Sequence, residues 1–224
     1  MINQVIGLIN GRFEGLKGKG TVIRLDHAFL AFSGDIISRL CCESHVDMVE
    51  DPKFAPHWFD LLHSVIFSIP LFTGFPSLIN LISLIPERLV TWVDSRSRTF
   101  VTFKKMARTH IINAKRDKLE AKPLRDGKAR TSLFHYIVNS DMPESELSVN
   151  RLAKEAQVLL GAGSASTART IDFIVYYILA KEAIRTRLQE ELQESMANYP
   201  QNIPSCSELE KLPYLQAIIK EGLR

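Results

Sequence analysis

The sequence predicts a mainly α-helical fold, and three observations lead to that prediction. Apolar residues recur at three- and four-residue spacing in most segments, which is typical of helices with one buried face. No proline interrupts the stretch from Val149 to Ala180, and alternating strand-like patterns are rare. The composition, with 46% hydrophobic and 24% charged residues, excludes a disordered tail, a collagen-like repeat and a disulfide-dense secreted module.

The amino-terminal segment predicts a helix, a glycine-rich loop and a second helix. Residues 1–9 have the pattern of an amphipathic helix and lack the basic flank and cleavage site of a signal peptide. We expect a loop next, because glycines follow in close succession. Thr21–Leu25 is compatible with a short strand. Asp26 is the expected N-cap of a helix whose apolar positions are Ala28, Phe29, Phe32, Ile36, Ile37 and Leu40.

An uncharged run extends from Leu61 to Pro86. As one helix it would measure about 39 Å, but Pro70, Gly74 and Pro76 divide it into two pieces that are each too short for a bilayer. These pieces are Leu61–Ile69 and Ser77–Ile85. The run therefore predicts two short helices joined by a bent loop. They are either buried or form an apolar lid that contacts ligand or membrane surface, with peripheral membrane contact near residues 61–86.

A basic block follows the uncharged run. Between residues 96 and 130 there are twelve Lys or Arg and three Asp or Glu, a local excess of nine positive charges, although the whole chain carries only +3. A solvated helix face followed by a loop around residues 122–128 is the simplest interpretation. An anionic membrane surface or an acidic partner is the alternative. Nucleic acid is not an expected partner, because few stacking aromatic residues are interleaved with the charges.

The carboxyl-terminal part predicts further helices. A short helix is expected at Leu133–Val138, and Ser148 is the expected N-cap of a long helix that reaches about Ala180. Another helix covers Glu182–Met196. Two shorter helices, separated at Pro213, are expected between Glu208 and Arg224.

Cysteines and histidines give no sign of a metal site. Cys41, Cys42 and Cys206 form no C-x-x-C pair, which argues against a disulfide framework or a zinc finger and favours a reducing compartment. None of the six histidines lies four residues from another. We therefore assign no metal ligand in this chain.

The residues from Gly161 to Ala168 form an unusual stretch of small side chains within the predicted long helix. Glycine in a helix interior costs about 1 kcal/mol relative to alanine, so something must compensate for two of them. Close packing of another helix is one explanation. The other is a flat or bulky ligand that lies against the helix, with the hydroxyl of Ser166 or Thr167 directed at it.

Four segments, taken together and in their order along the chain, resemble the cytochrome P-450 family. Residues 159–170 (LLGAGSASTART) resemble the oxygen-binding segment of its long central helix, A/G-G-x-D/E-T-T/S. Residues 209–224 (LEKLPYLQAIIKEGLR) resemble the helix L-x-x-L-P-Y-L-x-A-x-I-x-E-x-x-R. Residues 28–37 and 184–192 are similar to fungal-type members that oxidise secondary metabolites. The chain is thus identified as a partial cytochrome P-450 fold that includes the central helices.

The resemblance implies roles for particular residues. Haem b would lie against the central helix at Ala162 and Gly163, and the hydroxyl of Ser166, followed by Thr167, would help to deliver protons to bound dioxygen. Ala165 stands where the family usually has an acid. Glu221 and Arg224 would form the structural E-x-x-R pair.

The resemblance also implies an activity and its partners. The full-length family consists of haem-thiolate monooxygenases that oxidise apolar small molecules with electrons from NADPH–cytochrome P-450 reductase at the cytosolic face of the endoplasmic reticulum. Its cysteine pattern, F-x-x-G-x-R-x-C-x-G, does not occur in these residues. We therefore expect one partial domain over residues 1–224, without stable haem binding or turnover, and a cytoplasmic location if the chain is soluble. Within it, residues 1–147 would form the flanking helices and a loop of the substrate channel. Residues 148–180 would form the central helix, and residues 181–224 the helices that lead to E-x-x-R.

One alternative from another class remains. A non-catalytic helical interaction protein would use the Gly161 and Gly163 face to pack against a partner helix.

Overall fold

The computed structural model describes residues 1–42, 47–77, 95–119 and 132–224, and within these ranges it is helical and contains no β-strand. Contacts divide the chain into two compact units, Met1–Ser166 and Thr167–Arg224. The prediction of a mainly α-helical fold is confirmed. The helices are α1 (Ile2–Leu16), α2 (Leu25–Cys41), α3 (Pro56–Gly74), α4 (Ser95–Leu119), α5 (Leu133–Val138), α6 (Val149–Ala180), α7 (Glu182–Ser195), α8 (Cys206–Leu209) and α9 (Pro213–Gly222).

The start of the chain departs from the prediction in two ways. Helix α1 continues through Gly11 and Gly15, because an isolated glycine weakens a helix without ending it, and α1 packs against α2. The turn comes only at Gly18 and Gly20, whose φ angles of 76° and 64° are left-handed. The strand expected at 21–25 is absent, since residues 21–24 have no regular structure and α2 begins at Leu25.

Asp26 therefore lies in the first turn of α2 and is not its N-cap. One carboxylate oxygen of Asp26 accepts a hydrogen bond from the backbone N–H of His27 at 3.0 Å, and the same carboxylate pairs with Arg24, which is the N-cap residue. An acid in the first turn interacts favourably with the positive end of the helix dipole. The sequence thus predicted the start of α2 correctly, but the N-cap is Arg24, two residues before the expected Asp26.

Helix α3 passes through Pro70, where the sequence predicted an end. The first half of α3 contains its buried side chains, Trp58, Leu61 and Leu62. In its last turn, the Thr73 hydroxyl donates to the backbone oxygens of Ile69 and Pro70 at 2.9 and 3.1 Å. Pro70 lies in the exposed second half of the helix, where water can replace the hydrogen bond that its missing N–H would make. Across the described ranges, no helix combines the length and hydropathy needed to cross a membrane. Nearly all of the second predicted piece, residues 78–85, lies outside the described residues.

Helix α4 carries part of the basic block on its exposed side. Phe103, Ala107 and Ile111 are buried at four-residue spacing, whereas Lys104 and Lys105 are exposed. The Lys118 ammonium donates to the backbone oxygen of Val138 in α5 at 3.0 Å, and α4 packs against α5 and α3. This is the solvated face that the charge pattern predicted. The loop expected at 122–128 lies outside the described residues.

The later helices agree with the sequence. The bounds of α5 and α6 are those predicted, and the Ser148 hydroxyl accepts a hydrogen bond from the Arg151 N–H at 3.4 Å, as an N-cap does. Helix α9 begins at Pro213, the residue that was expected to separate the last two helices.

Candidate functional site

One face of the small-residue stretch in α6 packs within the first unit. A Cβ placed on Gly163 would lie 2.9 Å from the Cδ1 and Cγ1 atoms of Ile37 in α2, and one placed on Gly161 would lie 3.6 Å from Cδ2 of Leu62 in α3. Gly163 is therefore required for the close approach of Ile37, while Gly161 leaves room for a methyl group. Packing within the chain accounts for the helix-interior glycine at 163.

One hydrogen bond joins α2 to α6 here, and a second lies within α6. The buried Ser33 hydroxyl donates to the backbone oxygen of Ser164 at 2.8 Å, and the buried Ser164 hydroxyl donates to the backbone oxygen of Leu160 at 2.7 Å. Ile37 and Leu62 of the same chain contact Gly163 and Gly161, so part of the face that a partner helix would use is already packed within the first unit.

A second face of α6 is exposed and carries residues of the predicted site. Ala162 and Ser166 are exposed four residues apart, and the Ser166 hydroxyl donates to the backbone oxygen of Ala162 at 2.7 Å. Val158, one turn earlier, is 63% exposed and continues the same row. The sequence analysis missed Val158, although its four-residue spacing from Ala162 was a signal that could have found it.

The remaining predicted residues of the stretch are placed differently. Gly163 lies on the packed face described above, and Ala165 is half-buried, so no carboxylate stands at that position. Thr167 is exposed and is the first residue of the second unit. The structure thus brings Ala162 and Ser166 together on an exposed face and leaves Gly163 in the packed face.

The E-x-x-R pair forms within the second unit. Arg224 Nη1 lies 3.8 Å from Glu221 Oε2, and the two side chains are 82% and 76% exposed. The residue between them matters more for packing, since a Cβ on Gly222 would lie 2.2 Å from Cγ1 of Ile174. Gly222 is a position that the sequence analysis did not single out, because only its neighbour in space requires a glycine there.

The three cysteines are free, and their surroundings favour the protonated thiol. Burial raises the pKa of Cys41 to about 11 and that of Cys42 to about 12. The exposed Cys206 thiol donates to the Glu210 carboxylate at 3.5 Å, and this bond raises the pKa of Cys206. In the part of the chain that the structure describes, no three His, Cys, Asp or Glu side chains form a group that could hold a metal ion.

Comparison with known proteins identifies the family. The family model described as Cytochrome P450 matches residues 1–224, and the chain belongs to this family. It is 49% identical to "Cytochrome P450 monooxygenase oblB" of Cochliobolus heterostrophus, covering 97% of this chain and 42% of that protein. It is 45% identical to "Fusicoccadiene C-8 hydroxylase" of Phomopsis amygdali, covering 95% of this chain and 41% of that protein.

The fold agrees with this assignment. A crystal structure of a cytochrome P450 (CYP102L1) matches 99% of this chain and 44% of its own, with a TM-score of 0.67 and 16% sequence identity. The helices described above are therefore part of a cytochrome P450 fold. The chain spans about two fifths of the length of the curated relatives named here, at 42% and 41%.

The family implies a haem, and the residues present fit it in part. The row formed by Val158, Ala162 and Ser166 is exposed, and its small side chains allow a flat group to approach the α6 backbone closely. A thiolate ligand to iron, by contrast, needs a cysteine that the haem can reach. Cys41 and Cys42 are buried in the core of the first unit, at 0% and 5% exposure.

Proposed function

We propose that this chain is a segment of a fungal-type, haem-dependent monooxygenase that oxidises an apolar small molecule in secondary metabolism. The observation that supports the proposal is the exposed row of Val158, Ala162 and Ser166, in a chain that belongs to the cytochrome P450 family throughout. The printed names of the relatives, among them a fusicoccadiene hydroxylase, point to the same class of reaction. Bound haem would supply the activation of dioxygen.

In this proposal α6 presents two kinds of group to the haem. Ala162 leaves room for the flat macrocycle beside the helix, and Gly163 is reserved for the approach of Ile37. Ser166 holds a proton on its hydroxyl, which donates to the backbone oxygen of Ala162 and is exposed on the same face. Thr167 offers a second hydroxyl. Because no acid stands at Ala165, water or another residue would have to renew the proton on Ser166.

A chimera tests this role for Ser166. We would replace the matching segment of the Phomopsis amygdali hydroxylase with this chain and compare the chimera with its Ser166→Ala and Thr167→Ala variants. We expect Ser166→Ala to bind haem normally but to form less oxidised product per NADPH, with peroxide released instead. Unchanged coupling in Ser166→Ala would contradict the proposed proton role, and a chimera without haem would contradict the segment assignment.

For the chain alone, we propose that haem is not bound stably and that no turnover occurs. The burial of Cys41 and Cys42 in the core of the first unit supports this, because neither thiol is exposed to a haem iron. The test is to add hemin to the purified chain, reduce it and expose it to carbon monoxide. We expect no Soret band of the thiolate-ligated type, and a normal band of that type would refute the proposal.

We further propose that the longer protein works with NADPH–cytochrome P-450 reductase at the cytosolic face of the endoplasmic reticulum, and that α3 contacts the membrane peripherally. Exposed apolar side chains in and just after its second half support the contact, with Phe67 71% and Phe75 61% exposed. Co-sedimentation with phosphatidylcholine vesicles tests it. The Phe67→Ser, Phe75→Ser variant should bind fewer vesicles, and unchanged binding would refute the contact.

A further inference from the structure

A small cavity in the first unit is not part of the proposed haem face. Its volume is about 20 Å³. Helices α2, α3, α4 and α6 all contribute to its wall, as do two residues that follow α2. The lining residues are Gly34, Ile37, Ser38, Cys42, Met48, Trp58, Met106, His110 and Leu160.

The wall of this cavity contains an unsatisfied hydrogen-bond donor. The Nε1–H group of Trp58 is buried and has no hydrogen-bond partner among the described residues, in a side chain that is only 6% exposed. The Trp58 ring is held in place by the edge-on ring of Phe103, with 5.3 Å between centroids. Buried polar groups are nearly always hydrogen-bonded, because leaving one unpaired costs about 1–3 kcal/mol.

Gly34 leaves space beside this donor. A Cβ at position 34 would lie 3.1 Å from Trp58 Nε1 and 2.9 Å from Met48 Sδ. The lack of a side chain at Gly34 therefore keeps the indole edge open toward the interior of the first unit.

We infer that one buried water molecule occupies this cavity and accepts the hydrogen bond of Trp58. A cavity of at least about 10–15 Å³ holds one water if two to four polar groups surround it. Besides Trp58, the described residues of the wall include two with polar nitrogen or oxygen side-chain atoms, His110 and Ser38. The Ser38 hydroxyl already donates its hydrogen to the backbone oxygen of Asp35 at 3.1 Å, so toward a water it can act only as an acceptor.

His110 completes the arrangement as an acceptor. Burial lowers the pKa of His110, which keeps the ring neutral and leaves one ring nitrogen without a proton. The water accepts a hydrogen bond from Trp58 and donates one each to His110 and Ser38, so both of its hydrogens have an acceptor. Among the described side chains of the wall, the remaining polar atoms are the sulfurs of Cys42, Met48 and Met106, which are weaker partners than water.

NMR of the chain labelled with ¹⁵N at tryptophan tests this inference. The sequence contains two tryptophans, Trp58 and Trp92, and a Trp58→Phe variant assigns their indole signals. We expect Trp58 Nε1–H to show a water cross-peak with the sign of the diagonal in a NOE spectrum and the opposite sign in a ROE spectrum. That pair of signs identifies a long-lived bound water. If Trp58 in the unmodified chain shows no such peak, the cavity is dry and the inference is wrong.

Two variants identify the other partners of the water. Loss of an acceptor in His110→Phe or in Ser38→Ala should weaken the Trp58 water peak at least twofold and move the indole proton to lower chemical shift. His57→Phe replaces an exposed histidine of α3 and is the matched control, which should leave the peak unchanged. An unchanged peak in both cavity variants would contradict the proposed bridge, and the result with the unmodified chain stands even if one variant fails to fold.

Discussion

Gly161 and Gly163 lie two residues apart in α6, yet alanine should have opposite effects at the two positions. At Gly161 the new methyl meets Leu62 at an ordinary 3.6 Å, so the better helix propensity of alanine should stabilise the chain by up to about 1 kcal/mol. At Gly163 the methyl would lie 2.9 Å from Ile37, and overpacking of this kind costs about 1–3 kcal/mol. Urea unfolding followed by circular dichroism measures both changes.

Shortening Ile37 provides the control for this pair. In an Ile37→Ala background the two crowded atoms are gone, so Gly163→Ala should no longer destabilise the chain. If Gly163→Ala were equally harmful with Ile37 and with Ala at position 37, close packing of α2 would not be the reason for the glycine.

Asp35 predicts a pH effect on stability. Its fully buried carboxylate accepts the backbone N–H groups of Met48 and Val49 at 2.7 and 3.0 Å, and burial nevertheless raises its pKa above the ordinary value. With a raised pKa the folded chain binds more protons than the unfolded chain, so this group lowers stability as pH rises from the ordinary to the raised pKa. Above that window its unfavourable contribution is constant.

The test compares the unmodified chain with Asp35→Asn by urea unfolding between pH 7 and pH 4. In this variant an amide N–H faces one of the two backbone N–H donors and leaves it without an acceptor. The free energy of unfolding should therefore fall by about 1–3 kcal/mol. As pH falls, the stability advantage of the unmodified chain over Asp35→Asn should grow. An advantage that is independent of pH, or that shrinks on acidification, would contradict the raised pKa.

Helix α9 depends on a carboxylate from another helix. Glu191 in α7 accepts the backbone N–H groups of Tyr214 and Leu215, both at 2.8 Å, in the first turn of α9. Helix starts leave such N–H groups without an internal partner. Glu191→Ala should therefore destabilise the second unit by about 1.5–3 kcal/mol, as judged from chemical unfolding. Glu194→Ala, an exposed position in the same helix, is the control, and an equal loss there would point to helix propensity instead.

Elements defined by local signals were predictable from the sequence, and elements defined by contacts were not. Ser148 and the uninterrupted apolar pattern after it gave α6 its observed bounds, because an N-cap acts within a few residues. The predicted end of α3 at Pro70 was wrong: the helix continues to Gly74 although its second half is mostly exposed, because a proline weakens a helix without always ending it. In the candidate site, the motif predicted Ala162 and Ser166, which share an exposed face, but the need for glycine at 222 arises from Ile174, which is distant in sequence.

The two units of the whole molecule differ greatly in the size of their cores. The first contains nearly all of the buried apolar residues, including Phe134, Ile111 and Leu160, whereas in the second only Ala168 and Leu188 are buried apolar side chains. Large side chains of α6 within the second unit are exposed, with Tyr176 at 63%. Burial of apolar area is the main source of folding free energy, so the second unit should be the less stable one.

Amide hydrogen exchange should reveal this difference directly. Exchange of a protected amide requires opening of its hydrogen bond, and the free energy of opening is lowest where few apolar contacts must be broken. We expect amides in α2 to exchange only by the global unfolding of the first unit. Amides in α7 and α9 should exchange at least tenfold faster, since Leu188 is the one apolar side chain buried in those two helices. Equal protection of α2 and α7 would show that the second unit gains stability from contacts other than its own buried apolar residues.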